Sequence, residues 1–121
     1  MKKENIVAEK SFKFAKRIYF LYKFLIEDKR EYILSKQLLR SGTSIGANIE
    51  EAIGGQSKKD FISKISIAYK EARETDYWLR LLHEVNILNE TEFQSIKTDC
   101  EELMKIIGSI QLASKQPEIS N

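Results

Sequence analysis

Apolar side chains recur at steps of three and four residues in four successive stretches of this sequence, and only short polar connections separate the stretches. This period matches one face of an α-helix, whereas a β-strand would alternate at every second residue. The pattern predicts helices over about residues 11–26, 31–53, 58–86 and 90–113, and a frayed tail over 114–121. An all-α fold is therefore expected, and the residues before the first stretch are interpreted as a short lead-in.

The repeating apolar positions also predict how the helices pack. Steps that alternate between four and three form a heptad seam, and short connections force neighbouring helices to run antiparallel. The expected architecture is one domain over residues 1–121, an antiparallel, up-and-down, left-handed four-helix bundle. The predicted core positions of the four stretches are Phe14, Ala15, Ile18, Leu21, Tyr22 and Leu25; Leu34, Leu38, Ser41, Ile45, Asn48 and Ala52; Phe61, Ile65, Ala68, Ala72, Thr75, Leu79 and Leu82; and Phe93, Ile96, Cys100, Leu103, Ile107 and Ile110.

Local signals mark where the predicted helices begin and end. The pair Gly54-Gly55 follows the second stretch, and glycine commonly stands just past a helix C-terminus. Ser57 with Asp60 three residues later is close to a capping box, with the shorter Asp in place of Glu or Gln. Asn89 followed by Glu92 predicts the start of the fourth helix in the same way.

Charge is distributed unevenly along the chain, although its formal net value is only +2. Residues 1–70 carry 15 Lys or Arg and 8 Asp or Glu, a balance of +7, whereas residues 71–121 carry 5 and 10, a balance of −5. Such a split is evidence about partners rather than about fold. Attraction between the halves, within the bundle or between copies, is a simpler explanation of it than nucleic-acid binding.

The side chains that most often carry catalysis or bind metals are scarce. Cys100 is the only cysteine, so the chain forms no internal disulfide, and its place in an apolar stripe predicts a small core residue. Di-metal bundles need Glu-x-x-His on two helices, but His83 is the only histidine and Arg80 stands where that Glu would be. No catalytic residue, metal site or cofactor is predicted, and the chain is interpreted as a non-enzyme.

The ends and apolar runs of the sequence also bear on location. Met1 is followed by two lysines with no apolar signal region, and no apolar run approaches the length that spans a membrane. The sequence therefore predicts a cytoplasmic protein with no membrane partner.

Two glycines inside the second predicted helix need an explanation, because each costs about 1 kcal/mol relative to alanine. Gly42 and Gly46 lie four residues apart and share one helix face, where another backbone can approach closely. A phosphate-binding loop is the rival interpretation, but no Gly-Lys-Ser/Thr follows and no strand precedes the glycines. Close helix packing is predicted, either within the bundle or between subunits.

Polar side chains on or beside the seams of the second and third helices predict a polar layer. Such a layer can hold a metal, but a hydrogen-bonded layer that fixes the helix register is the favoured interpretation, because buried carboxylates need partners. The predicted members of this structural polar layer are Arg40, Asn48, Glu51, Glu71, Glu74 and Thr75.

Apolar residues cover more of the third helix than one seam requires. A helix that is apolar around so much of its circumference is expected to pack against a second surface. That surface is either a broad contact inside the bundle or an oligomer interface. The candidate oligomer contacts are the two glycines of the second helix and three aromatic residues of the third: Gly42, Gly46, Tyr69, Tyr77 and Trp78.

Lysines gather on one stripe of the first helix, with Phe20 between them, and at the start of the third. A positive surface with an interleaved aromatic ring can hold a nucleic-acid backbone, although such lysines are more often only a solvated helix face. The candidate nucleic-acid-binding residues are Lys13, Lys16, Lys23, Lys58, Lys59 and Lys64.

Three motifs closely resemble one bacterial protein family. They read QLLRSGTSIGANIEEA at residues 37–52, QSKKDF at 56–61 and ARETDYWL at 72–79. The family is the four-helix-bundle proteins encoded in 23S rRNA intervening sequences, and the resemblance covers about residues 11–113. It implies an antiparallel four-helix bundle that assembles into a ring, typically a homopentamer. The accessory variability proteins of diversity-generating retroelements are similar, and they bind nucleic acid and a reverse transcriptase.

Two departures from the family pattern stand out. Many members read Asn-Ile-Ala-Glu-Gly where this chain has Asn-Ile-Glu-Glu-Ala at residues 48–52, so the second helix is expected to continue to Gly54. Many also have a proline in the first turn, which this chain lacks. The modest net charge argues against strong nucleic-acid binding, whereas the lysine stripe favours an oligomeric accessory protein that is associated with RNA or DNA. A protein-interaction scaffold is the alternative, and a bundle that holds a small molecule or metal is disfavoured.

Overall fold

Four α-helices account for most of the described chain. The computed structural model describes residues 2–115, and its helices are α1 (Lys3–Glu27), α2 (Leu34–Ile53), α3 (Lys58–Glu84) and α4 (Glu90–Lys115). These residues include no β-strand, so the predicted all-α fold of four helices is confirmed. Among the described helices, none combines the length and the apolar character needed to cross a bilayer.

The helices form a ring in which each one contacts the next. Helix α1 packs on α2 and α4, and α3 packs on the same two helices from the opposite side. The diagonal pairs, α1 with α3 and α2 with α4, have no Cα atoms within 8 Å of one another in the described part of the chain. This arrangement is the up-and-down four-helix bundle that the sequence predicts, and its left-handed twist stays a prediction.

Contacts between helices establish that neighbours run antiparallel. Ser41 of α2 meets Thr75 of α3, whereas Glu51, further along α2, pairs with Lys64, which lies further back in α3. The same inverse order joins α4 to both of its neighbours. The pairs that show it are Lys10–Glu102 with Arg17–Asp99, and Ser66–Gln111 with Asp76–Lys97.

Helix α1 begins at Lys3 rather than near Ser11, so the predicted lead-in is wrong. Residues 3–10 are helical because Val7 continues the apolar stripe one turn further toward the N-terminus and is completely buried. The turn is hard to recognise among charged residues, since only Val7 of residues 4–10 is buried and Ala8 packs beside it against the core. The helix therefore has 25 residues and a longer outer face than expected.

Helix α2 begins at Leu34 instead of 31, and Glu31 explains the difference. The Glu31 carboxylate accepts the backbone N–H groups of Ile33 at 3.2 Å and Ser35 at 2.7 Å. Glu31 therefore satisfies donors at the start of the helix from outside it. The predicted end of α2 is confirmed, because the helix stops at Ile53 with Gly54 as its cap.

The capping signals of α3 and α4 are confirmed. The Ser57 hydroxyl accepts the Asp60 N–H at 3.0 Å, and Asn89 and Glu92 exchange two reciprocal bonds at 2.8 and 3.2 Å. Helix α3 ends at Glu84, slightly before the predicted residue 86, because the backbone enters the left-handed region at Asn86, where φ is 65°. Helix α4 continues to Lys115, so residues 114 and 115 are not frayed, and 116–121 lie outside the described residues.

The buried residues are largely the predicted core positions. In α4 the six buried residues are the six predicted ones. In α2 the buried set shifts by one residue at two places, where Ser35 and Ile49 are buried and the predicted Leu34 and Asn48 are half-buried. The remaining predicted core positions that are only half-buried are Ala15, Leu21, Tyr22 and Phe61.

The two glycines of α2 lie against α1 inside the bundle. A Cβ atom on Gly42 would stand 2.8 Å from both Cγ atoms of Ile18, and one on Gly46 would stand 3.4 Å from the Ser11 carbonyl oxygen. Their predicted role as oligomer contacts is therefore wrong for Gly42, which is fully enclosed by its own chain, and Gly46 faces the same neighbour. The glycines allow α1 and α2 to approach closely.

Alanine substitutions at two helical glycines should change stability in opposite directions. We expect Gly42→Ala to lower the free energy of unfolding by about 1 kcal/mol or more, because overpacking against Ile18 outweighs the better helix propensity of alanine. Gly108→Ala should raise it by about 0.5–1 kcal/mol, because its Cβ would meet only Tyr69 at an ordinary 3.9 Å. Urea unfolding measures both, and stabilisation by both variants would contradict the close α1–α2 contact.

Candidate nucleic-acid interface

The outer face of α1 combines exposed lysines with exposed aromatic rings. The helix turns Phe14, Ile18 and Leu25 into the core, and the residues on its opposite side are left facing solvent. We call this surface the α1 face, and its members are Phe12, Lys13, Lys16, Tyr19, Phe20 and Lys23. Lys23 is half-buried and the other members are exposed. The predicted lysine stripe of the first helix therefore lies on one surface.

Aromatic rings and ammonium groups are neighbours on the α1 face. The Lys16 ammonium lies 5.8 Å from the centre of the Phe12 ring, within the range of a cation–π contact. Tyr19 and Phe20 meet edge to face with ring centres 5.6 Å apart. The face thus presents flat apolar surfaces beside positive charge, a combination that suits stacked bases and a phosphate backbone.

Two lysines of this face are paired with acidic residues of the same helix. Lys13 contacts Glu9 at 3.2 Å and Lys23 contacts Glu27 at 3.7 Å, and all four side chains are more than two-fifths exposed. Exposed pairs of this kind contribute little, about 0.3–0.5 kcal/mol each. A phosphate group can therefore take the place of either glutamate at small cost.

Other basic residues of α1 are fixed against α4. Arg17 donates to Asp99 at 2.6 Å and to the Ser95 hydroxyl at 2.9 Å, and Lys10 pairs with Glu102 at 3.1 Å. These bonds neutralise the positive charge along the α1–α4 edge. The cations best placed to meet a ligand are therefore those of the α1 face.

The three candidate lysines of α3 do not join this surface. Lys58 and Lys59 are exposed at the start of α3, whereas Lys64 pairs with Glu51 of α2 at 2.8 Å, and this hydrogen bond raises the pKa of Lys64. Helices α1 and α3 are diagonal in the bundle, with no Cα atoms within 8 Å of one another among the described residues. One chain therefore presents two separate basic regions instead of the single patch that the sequence suggested.

Phe12 and Tyr19 belong to the α1 face, although the sequence prediction left them out. Phe12 is 64% exposed and precedes Lys16 by one helical turn, and Tyr19 is 47% exposed. The signal that identifies them is a large apolar residue outside the core stripe of an otherwise amphipathic helix. The lysine stripe alone identifies only Phe20, because this residue lies between Lys16 and Lys23 in the sequence.

The predicted polar layer is divided among four separate places. Thr75 is fully buried and donates to the Ser41 hydroxyl at 2.9 Å. Asn48 donates to the Ser44 carbonyl of its own helix at 2.9 Å, and Glu51 lies at the surface against its lysine partner. A continuous interior layer is therefore wrong, because only Thr75 of the six predicted residues is buried.

Arg40, Glu71 and Glu74 form a cluster on the outer edge of the α2–α3 contact. Arg40 donates to Glu71 at 3.0 Å and also to Glu74, which accepts the Trp78 indole N–H at 2.9 Å. Partial burial raises the pKa of Glu74, but the bonds from Trp78 and Arg40 outweigh it and leave this pKa below its ordinary value. The cluster thus fixes the register of α2 against α3.

Replacing Arg40 with glutamine should make the bundle less stable at neutral pH. Because the pKa of Glu74 is lowered in the folded state, its contribution is present above the unfolded pKa of about 4.3 and is lost as pH falls through the lower folded value. We expect Arg40→Gln to cost up to about 1 kcal/mol at pH 7 and progressively less below pH 4. Thermal unfolding across this pH range measures it, and a pH-independent difference would contradict the assignment.

The three aromatic residues predicted as oligomer contacts, Tyr69, Tyr77 and Trp78, lie in different surroundings. Tyr69 leans toward Gly108 of α4, and Trp78 is half-buried and bonded to Glu74 on the α2 side. Tyr77 alone of the three is exposed, at 50%, and its ring meets Trp78 edge to face at 5.1 Å. Ile67 of α3 and Val85, which caps the end of this helix, are also exposed.

The chain's cysteine and histidine have ordinary structural surroundings. Cys100 is completely buried, and desolvation, together with the charge of Asp76, raises the pKa of its thiol to about 12. His83 stacks on Phe93 at 4.1 Å and contacts Glu90 at 2.7 Å. No three His, Cys, Asp or Glu side chains of residues 2–115 converge on a possible metal site.

Comparison with known proteins identifies a family model that matches this chain and a closely similar solved structure. The model of the 23S rRNA-intervening sequence protein family matches residues 3–109. A comparison with curated proteins gives no significant match. Among solved structures, the chain is similar to a protein of unknown function from the S23 ribosomal protein family of Bacteroides thetaiotaomicron VPI-5482, with a TM-score of 0.90 and 50% sequence identity. The match covers 92% of this chain and 99% of that one. With nearly the whole bundle matched, this chain belongs to the 23S rRNA-intervening sequence protein family.

Proposed function

We propose that this protein is a non-enzymatic, cytoplasmic accessory protein that binds RNA or DNA as a closed homo-oligomer and needs no cofactor. The observation that carries the proposal is the α1 face, where Lys13 and Lys16 lie exposed beside the rings of Phe12 and Phe20. Lysines contribute the sequence-independent, electrostatic part of nucleic-acid binding. Binding is therefore expected to tolerate many sequences.

Assembly would compensate for the small number of cations in one chain. The net charge is only +2, and each chain offers three lysines on the α1 face. A ring repeats this face in every subunit, so that weak contacts with one nucleic-acid strand add through multivalency. The family resemblance supports a five-fold ring, and the exposed apolar residues of α3 support a contact between copies.

The assembly is tested by its mass in solution. Light scattering at micromolar concentration should give several times the chain mass of 14.1 kDa, with five copies expected from the resemblance. Tyr77→Glu, which places a charge on the exposed surface of α3, should reduce this mass without loss of helicity. A parent protein of about one chain mass would overturn the oligomeric proposal.

Nucleic-acid binding is tested directly with labelled RNA and DNA. Fluorescence anisotropy at about 50 mM salt should detect binding, because electrostatic contacts are strongest at low ionic strength. No change in anisotropy with either nucleic acid would overturn this function. The alternative is then a protein-interaction scaffold. It is favoured by the acidic second half of the chain and by the exposed apolar residues Ile67 and Tyr77 of α3 and Val85 at its C-cap.

A further inference from the structure

We infer that the α1 face selects single-stranded nucleic acid, with unpaired bases stacked on the rings of Phe12 and Phe20. This inference rests on the proposed nucleic-acid function and adds the form of the ligand. The two rings are the most exposed aromatic side chains of the described residues, at 64% and 68%. Neither side chain belongs to the buried core, so both rings are accessible to an external partner.

The placement of the rings suits two separate bases. Phe12 and Phe20 are eight residues apart on one helix, which is about 12 Å along its axis at 1.5 Å per residue. That distance is too large for both rings to contact one base. In a paired helix the faces of the bases are covered by their neighbours, whereas an unpaired strand leaves them free to stack on aromatic side chains.

The charges around the rings favour a polyanion over an apolar partner. Lys13 and Lys16 lie between the two rings in the sequence, with Lys16 close to the Phe12 ring, and Lys23 follows Phe20 by three residues. An apolar protein surface placed here would have to desolvate these ammonium groups. A single strand instead brings phosphates to the lysines and bases to the rings, so that both kinds of side chain find partners.

The rings can be tested separately from the lysines. Phe12→Ala with Phe20→Ala should leave circular dichroism and oligomer mass unchanged, because both side chains are exposed. Its affinity for a labelled uridine homopolymer should fall at least about 10-fold, since each stacked base contributes roughly 5- to 150-fold. Its weaker affinity for an RNA duplex of equal length should change by less than about 2-fold. Tyr32→Ala, which removes a 51% exposed ring outside the α1 face, is the matched control and should bind like the parent.

A spectroscopic signal would report the stacking itself. Phe20→Trp should keep the affinity for the uridine strand, and its added indole fluorescence should be quenched when that strand binds. Because Trp78 is the only natural tryptophan and lies on another helix, the parent protein gives the background signal. Quenching by the strand but not by the duplex is the expected result.

Three results would overturn the inference. Equal losses for strand and duplex in the double alanine variant would indicate a wedge inserted into paired nucleic acid. Unchanged strand binding in this variant, together with weakened binding when the lysines are replaced, would remove the stacking and keep the proposed function. A fall in oligomer mass would identify the α1 face as a contact between copies. If the parent binds neither probe, the proposed function and the inference both fail.

Discussion

Leu103→Asp is expected to unfold the bundle. Leu103 is 1% exposed at the centre of α4, and the buried core to which it belongs is almost entirely apolar. Loss of the leucine costs about 2–5 kcal/mol, and burying an unpaired charge adds several more. This total matches or exceeds the 5–15 kcal/mol that stabilises a typical domain. Circular dichroism should therefore show little helix and no cooperative melting transition, and Ile65→Asp in α3 should behave in the same way.

The same helix provides a matched control. Leu112 also lies in α4 but is 67% exposed, so Leu112→Asp adds the same charge without burying it. We expect this variant to keep the helix content of the parent and a melting temperature within a few degrees of it. If Leu103→Asp melted like Leu112→Asp, the assignment of the α4 core would be wrong.

Replacing Lys13, Lys16 and Lys23 together with glutamine is expected to weaken nucleic-acid binding about 10-fold or more at low salt. Each phosphate that a lysine neutralises adds about 0.7 for single strands, or 0.9 for duplexes, to the slope of log affinity against log salt. Three contacts from one subunit therefore predict a roughly 20- to 40-fold loss of affinity between 50 and 200 mM salt, and each further subunit that binds the same strand makes the loss larger. The triple variant should have a correspondingly smaller slope.

A second triple variant distinguishes position from total charge. Lys36, Lys70 and Lys105 are exposed on α2, α3 and α4, and their replacement by glutamine removes the same charge away from the α1 face. We expect this control to bind nearly as well as the parent. Equal losses in both triple variants would show that net charge alone drives binding, and would remove the α1 face as a specific surface.

The sequence predicts best where a local pattern alone decides the structure. The reciprocal cap of Asn89 and Glu92 involves only neighbouring residues, so its signature leads directly to the observed hydrogen bonds. The core of α4 follows from one strict helical period. Helix α2 is harder, because Gly42 lets α1 approach one side of it and the buried set widens toward that side to include Ile49.

The candidate site shows the limit of sequence periodicity. The period indicates correctly that Lys13, Lys16 and Lys23 share a face of α1. It does not indicate how that face is oriented relative to the other helices. The sequence alone therefore does not separate the lysines of the diagonal helix α3 from those of the α1 face. Likewise Glu51 pairs across the surface instead of joining an interior layer, because its lysine partner comes from another helix.

The buried thiol gives the bundle an internal reporter of its own opening. Cys100 is the only cysteine, is fully enclosed and has a pKa raised to about 12, so an alkylating reagent reaches a reactive thiolate only when the helices separate. When reclosing is faster than alkylation, the rate depends on the open population, and each 1.4 kcal/mol of opening free energy slows the reaction tenfold. Conformational stability can thus be followed in the native buffer, without denaturant and without a designed probe. A ligand that binds only the closed bundle would reveal itself by protecting a residue that it never touches.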